Sequence, residues 1–558
     1  MSDSRKLDLI LCWHMHQPDY RDYLTGEYVL PWTYLHAIKD YTDMAFHLEN
    51  NPNAKAVFNF VPILLEQIED YADQYSTGKI RDPLLRLLAT KDMASLSRAD
   101  RAQILDSCFR SNHHKMIRPY PAYSHLFDAF QFFEGSENDG SLDYLSGQYM
   151  ADLLVWYHLA WTGESVRRTR ETVARLMAKG SQYTYEDRKA LFDLIGELIK
   201  GLVPRYKALA DSGRIELSTT PYYHPIMPLL LDFDSAREAM PDVLLPKCSA
   251  YPGGRTRAQY HVSNAIHRHK SLFGHAPNGA WPSEGSVSNA SLRMLAGNGF
   301  KWAATGEAVL VNSLRKAGEL PAKIDYLYRP YRTGEITCFF RDDYLSDRIG
   351  FEYSKWNGRD AASNFVHYLE EIFHQSQDDN PVVSVILDGE NAWEFYPYNG
   401  YYFLSDLYDA LSSHPDIRMS TFSESAAREC RVLPEVVAGS WVYGTFSTWI
   451  GSEDKNRGWD LLCEAKKSFD HVMASGRLSE EEKKLAEKQL SDCEGSDWFW
   501  WFGDYNSAVS VSSFDSLYRL NLANLYRTLK LPVPHALDRV ISVGQGDPAL
   551  GGTMRRSS

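Results

Sequence analysis

Pro381-Val-Val-Ser-Val-Ile-Leu387 is an apolar run that ends in Asp388-Gly389. Such a run reads as a strand buried on both faces, the parallel kind found inside α/β sheets and barrels. Ligands in those folds gather at the C-terminal ends of strands, so an acid arriving there with glycine behind it is a candidate reagent. A second acid stands in Trp281-Pro-Ser-Glu284-Gly-Ser-Val-Ser, ahead of a helical pattern that begins near Asn289. Two carboxylates on different strand ends are the minimum equipment for cleaving a glycosidic bond, one to deliver a proton and one to stabilise the oxocarbenium-like centre.

The same unit recurs along the chain. Leu7 to Trp13 reads as a strand running into His14-Met-His16-Gln-Pro18, and residues two apart on a strand share a face, so His14 and His16 line one wall. Ala56-Val-Phe-Asn-Phe-Val61 stops at Pro62 and leads into a helix marked by Leu65, Ile68 and Tyr71. From about Asp187 a stripe of Leu191, Leu194, Ile195, Leu198 and Leu202 predicts a helix closed by Gly213. The strand Arg214 to Thr220 follows, putting Glu216 and His224 on or just beyond a strand end. Phe300 to Thr305 and Ile336 to Phe340, the latter followed by Arg341, repeat the pattern. Alternation of this kind predicts a parallel, barrel-like α/β domain over residues 1–425.

After about residue 430 the character changes. Asn456 to Met473, Ser479 to Leu490 with a Ser479/Glu482 capping box, and Phe514 to Leu529 read as helices. They predict an α-helical domain over 426–535, whose aromatic clusters at Trp441, Trp449 and Asp497 to Trp501 roof the cleft. A partly disordered tail is expected over 536–558. Net charge is −14 with no basic cluster, which argues against a nucleic-acid partner. Seven scattered cysteines suggest reduced thiols, and no stretch approaches the roughly 20 apolar residues of a membrane span, so a cytoplasmic chain is expected. Aromatic residues form 13% of the chain, side chains whose flat faces suit sugar rings.

Two other readings stand beside sugar hydrolysis. His-x-His at the end of a first barrel strand also opens many metal-dependent hydrolases, and His224, Glu284 and Asp388 could complete such a site with His14 and His16. A glucan-binding protein with an idle barrel would keep the aromatics without needing both acids.

His14-Met-His-Gln-Pro18, Gly213 to Leu217 with Thr220 to Ile226, Trp281-Pro-Ser-Glu284, and Leu387-Asp-Gly-Glu-Asn-Ala-Trp-Glu394 occur in an order that resembles glycoside hydrolase family 57. Gly439-Ser-Trp441, Trp449-Ile-Gly451 and Ser496 to Trp500 resemble that family's helical region. The resemblance implies a distorted (β/α)7 barrel followed by a helical domain, acting on α-glucans such as glycogen or maltodextrin by a retaining double displacement, with no cofactor and no required metal. It implies hydrolysis of the α-amylase or amylopullulanase kind, with a glucanotransferase or branching enzyme as the alternative. Glu284 would be the nucleophile and Asp388 the general acid/base. His14, His16, Glu216, His224, Trp281, Arg341 and Asp347 would hold the sugar, and Trp441, Trp449 and Asp497 would belong to the roof. Ser283 and Gly285 depart from the commoner form of the motif, which carries a bulkier residue before the glutamate.

Overall fold

Seven parallel strands close into a barrel in the computed structural model, which describes residues 5–134 and 145–546. The strands in chain order are β1 (Leu7–Met15), β2 (Ala56–Phe60), β3 (Ile215–Thr219), β4 (Gly279–Ala280), β5 (Trp302–Gly306), β6 (Tyr331–Thr333), β7 (Ile336–Arg341), β8 (Val382–Asp388), β9 (Ile417–Met419) and β10 (Arg431–Val432). Around the ring the order is β8-β1-β2-β3-β4-β5-β7, and the Arg341↔Ser384 pairing closes β7 onto β8. β6 is an antiparallel partner of β7 outside the ring, with β10 beside it, and β9 pairs with the first residues of β1.

Strand β1 shows how the sequence builds this. All nine residues are buried, and strand alternation sends Leu9, Leu11 and Trp13 out against the helices while Ile10 and Cys12 point inward. The inward set meets Val57, Trp302, Phe339 and Ile386 in the barrel interior. His14 follows Cys12 by two residues and so continues the inward face, in register with Asn59 on β2 and Asp388 on β8. One step along the strand therefore turns an apolar core into a polar site at the C-terminal end. At the opposite mouth Phe422 plugs the interior, its ring 4.3 Å from Trp302 and 4.8 Å from Phe339. Thr421 and Glu424 form the capping box of the short helix that carries it.

The region after residue 430 is mostly helical, with helices at Glu453–Ala474, Glu480–Cys493, Asp497–Trp501 and Ala508–Thr528. The predicted Ser479/Glu482 capping box is present. Residues beyond Pro534 run back along the last long helix, where Asp515 accepts from the amides of Ile541 at 2.7 Å and Ser542 at 3.2 Å. The tail expected to be disordered lies, from residue 547 on, outside the described residues. All seven cysteines are unpaired. Among the described residues no helix is long and apolar enough to cross a membrane.

A buried charge cluster docks the helical region onto the barrel's Gly254–Phe273 helix. Arg257 donates Nε and Nη2 to the two oxygens of Glu494 at 2.8 Å each, Tyr251 donates its hydroxyl at 2.6 Å, and the His261 ring nitrogen Nε2 lies at 2.7 Å. Burial alone would raise the Glu494 carboxyl, but Arg257 and His261 overcome it and hold the group at about 2. A carboxyl depressed on folding contributes stability above its unfolded value of about 4.3, and that contribution is lost as pH falls from there toward 2. Glu494→Ala strips Arg257 of its fully buried carboxylate and leaves it only the more exposed Glu487 and the Ser491 hydroxyl, and thermal unfolding of the full chain is expected to show a loss of about 3 kcal/mol.

Candidate active site

The strand ends converge on one small cavity. It is lined by His14, Trp281, Glu284, Arg341, Asp388 and Trp441, among others, and its volume is about 40 Å³. That is room for a water molecule and less than a sugar ring occupies. A substrate of that class enters only if lining side chains move.

The His14 tautomer follows from its neighbours. Asn59 donates its amide to Ser218 Oγ at 3.0 Å and to the Thr219 carbonyl at 2.8 Å, so its oxygen is the atom that faces His14 Nδ1 at 2.7 Å. Nδ1 therefore carries the proton and Nε2 the lone pair. Burial, reinforced by His16, pushes the imidazole down to about 3 and keeps it neutral. His224 stacks between the other two histidines, its ring centroid 5.2 Å from His14 and 3.9 Å from His16. His16 Nε2 lies 2.9 Å from Asp497, which reaches down from the helical region.

Glu284 sits in a left-handed turn, φ 57°, at the end of the β4 segment. Gly285 follows with φ 57°, and a Cβ there would come within 2.6 Å of the Trp281 ring. The glycine that departs from the commoner motif is thus required by the tryptophan packed over it. Both donors to the Glu284 carboxylate come from the helical region: Trp441 Nε1 to Oε2 at 3.1 Å, and Ser496 Oγ to Oε1 at 3.3 Å. A hydroxyl that donates to Glu284 must accept from His224 Nδ1, 2.8 Å away, which assigns that tautomer as well. Burial, together with the Asp497 and Asp388 carboxylates, pushes the Glu284 carboxyl up to about 8 against its two donors. Ser496→Ala removes one donor and unseats the His224 proton. Turnover is expected to fall about tenfold, a loss of about 1–2 kcal/mol, with the unfolding midpoint little changed.

Asp388 ends β8 and accepts from Asn391 Nδ2 at 2.8 Å. Burial raises its carboxyl, while His16 and Arg341 pull it back. Arg341 ends β7, and three of its five donors go to the Ile386 carbonyl at 2.7 Å, Asp343 at 2.6 Å and Asp347 at 2.9 Å. The guanidinium offers the site a fixed charge and a flat face, set 5.1 Å from the Trp441 ring centroid.

Three of the expected residues stand away from the cavity. Glu216 is not beside the cavity: it pairs in register with Val57, which pairs with Cys12, one side-chain layer below His14. Its carboxylate is taken by Trp302 Nε1 at 2.8 Å and by Ser423. Trp449 is fully buried beneath the roof, its ring 6.0 Å from Trp500, and belongs to the core. Asp347 stands behind Arg341 and acts through it. Asn59, Ser496 and Asn391 were missed, as was Glu390, a buried carboxylate that accepts from the His16 amide at 3.3 Å.

The metal reading can be tested on donor geometry. Among the described residues His16, His224 and Asp497 place possible ligand atoms within 4.8 Å of one another. The two imidazoles are stacked with planes 24° apart, so their in-plane lone pairs run side by side rather than toward a point, and one nitrogen of each is already bonded to Asp497 or Ser496. The set does not fit the tetrahedral or octahedral shells that His and carboxylate ligands form. Neither Glu284 nor Asp388 belongs to it.

A closed parallel barrel that presents two buried acids from separate strand ends, under an aromatic wall, is an arrangement that glycoside-active α/β barrels use. The sequence pattern of glycosyl hydrolase family 57 matches residues 10–437, and the chain belongs to that family. Solved structures share the fold at low identity. A family 57 branching enzyme from Thermococcus kodakaraensis, in complex with glucose, superposes with a TM-score of 0.54 at 14% identity, over 93% of this chain and 90% of that one. An α-amylase from Thermotoga maritima gives 0.55 at 13%, over 96% of each chain. A 4-α-glucanotransferase from Thermococcus litoralis gives 0.50 at 15%, over 94% of this chain and 60% of that one. No curated protein sequence matches the chain.

Proposed function

We propose that this protein is a retaining α-glucan-active enzyme in which Glu284 attacks the anomeric carbon and Asp388 is the general acid/base. The observation that carries the reading is that both acids face one cavity, walled by His14, Trp281 and Trp441, at the C-terminal end of the barrel. A double displacement needs one carboxyl protonated and the other ionised, and burial raises both groups here, Glu284 to about 8. Burial favours the proton on Glu284. The roles follow from fixation instead: Glu284 is clamped by two donors, as an attacking oxygen must be, while Asp388 has one amide partner.

Glycogen or maltodextrin in the cytoplasm is the proposed setting, which the unpaired cysteines suit. We divide the chain near residue 425 into a barrel and a helical roof, and treat the two as one catalytic unit because Trp441 and Ser496 both hold Glu284. Hydrolysis is the simplest outcome. Transfer to a sugar acceptor is the second reading, favoured by a closed wall of Trp281, Phe351 and Trp441 that limits water. Maltoheptaose incubated with the enzyme decides: shorter products alone mean hydrolysis, and longer or branched products mean transfer. No change in the oligosaccharide would overturn the reading.

A further inference from the structure

A second cavity lies at the other end of the barrel. About 570 Å³ in volume, it lies where β1, β2 and β9 begin, and its wall includes Lys6, Lys55, Arg418, Arg428 and Glu424. Pockets of about 300–1,000 Å³ are the size that holds small molecules. Four cations here face Glu424 and, just behind the wall, the fully buried Asp8. The chain as a whole is acidic, with a net charge of −14, so a cation excess in one concave place selects for anions.

The pairing within the groove leaves donors to spare. Arg418 Nε donates to Asp8 at 2.7 Å, and Arg428 Nη2 pairs with the other oxygen of the same carboxylate. Arg428 Nη1 is buried and has no hydrogen-bond partner among the described residues. Lys55 pairs with Glu424 at 2.5 Å, whereas the Lys6 ammonium has no ion-pair partner among the described residues. A planar guanidinium with an unpartnered Nη, an ammonium in the same wall, and hydroxyls from Ser412 and Ser420 match a tetrahedral dianion.

We propose that this groove binds a phosphomonoester, with the volume left beyond the phosphate taken by a sugar-sized body. A bare phosphate would leave most of the space unfilled. Asp8 and His14 are six residues apart on β1, which puts the two sites about 20 Å apart at 3.3 Å per residue, so the ligand occupies neither the cavity nor its wall.

Isothermal titration of the full chain with glucose 6-phosphate, inorganic phosphate and glucose tests this without recourse to glucan turnover. Glucose 6-phosphate is expected to bind saturably, about tenfold or more tighter than inorganic phosphate, and to weaken as salt is raised, while glucose gives no heat. Arg428→Gln and Lys6→Gln should each weaken it about tenfold. Lys6→Gln, which breaks no ion pair, keeps the test valid if Arg428→Gln fails to fold. Equal affinity for inorganic phosphate would overturn the assignment of a sugar-sized body. Absence of saturable binding, or binding unchanged in Lys6→Gln, would overturn the site. Loss of glucan activity in any other experiment would leave this result untouched.

Discussion

Glu284→Ala is expected to lower kcat by about four orders of magnitude or more, since losing the attacking group of a double displacement removes the covalent route altogether. The fold should survive. Its carboxylate makes no ion pair that holds elements together; its partners are the Trp441 indole, the Ser496 hydroxyl and, at 4.0 Å, the neutral His224 ring. Truncation also relieves the burial of a carboxyl and its crowding by Asp497 and Asp388, which together drive Glu284 up to about 8, so the unfolding midpoint should stay level or rise. Kinetics on maltoheptaose beside thermal unfolding separates the two effects. A variant with normal midpoint and near-normal turnover would remove Glu284 from the chemistry.

Asp388→Ala is expected to cost about two to four orders of magnitude in kcat on the same substrate, the usual contribution of a positioned proton donor and acceptor. The loss should depend on the leaving group. A sugar oxygen needs the proton and suffers fully, whereas fluoride departs without one, so α-maltosyl fluoride should recover most of the first step. Equal losses on both substrates would mean that Asp388 serves a purpose other than proton transfer.

Most of this arrangement was legible in the residues, for an identifiable reason. Strands buried on both faces, such as β1, β5, β7 and β8, announce themselves as apolar runs, and the acids and histidines stand where those runs stop. Strand β4 is two residues long and has no such run; only the Trp281-Pro-Ser-Glu284 motif marked it. The Gly147–Ala160 helix escaped notice because every residue from Met150 to Ala160 is buried, so no polar face exists to set a helical period. Glu216 illustrates a limit of strand logic: alternation reveals which face a residue occupies but not its height in the barrel. Asn59 carried a usable signal, a lone polar residue near the end of an otherwise apolar strand. Ser496 opens a motif of the family resemblance, but nothing in that motif assigned it to Glu284. Its place against Glu284 depends on Glu494 docking to Arg257, a contact between residues 237 apart in the chain.

The role of each acid is tested most directly by azide rescue of the two alanine variants with α-maltosyl fluoride, reading the anomeric configuration of the maltosyl azide. In Glu284→Ala, azide takes the place of the missing nucleophile, displaces fluoride from the opposite face and yields the β-azide. In Asp388→Ala, Glu284 still forms the covalent intermediate, and azide displaces it to yield the α-azide. The account predicts β from the first and α from the second. The same anomer from both variants, or the reverse assignment, would contradict it.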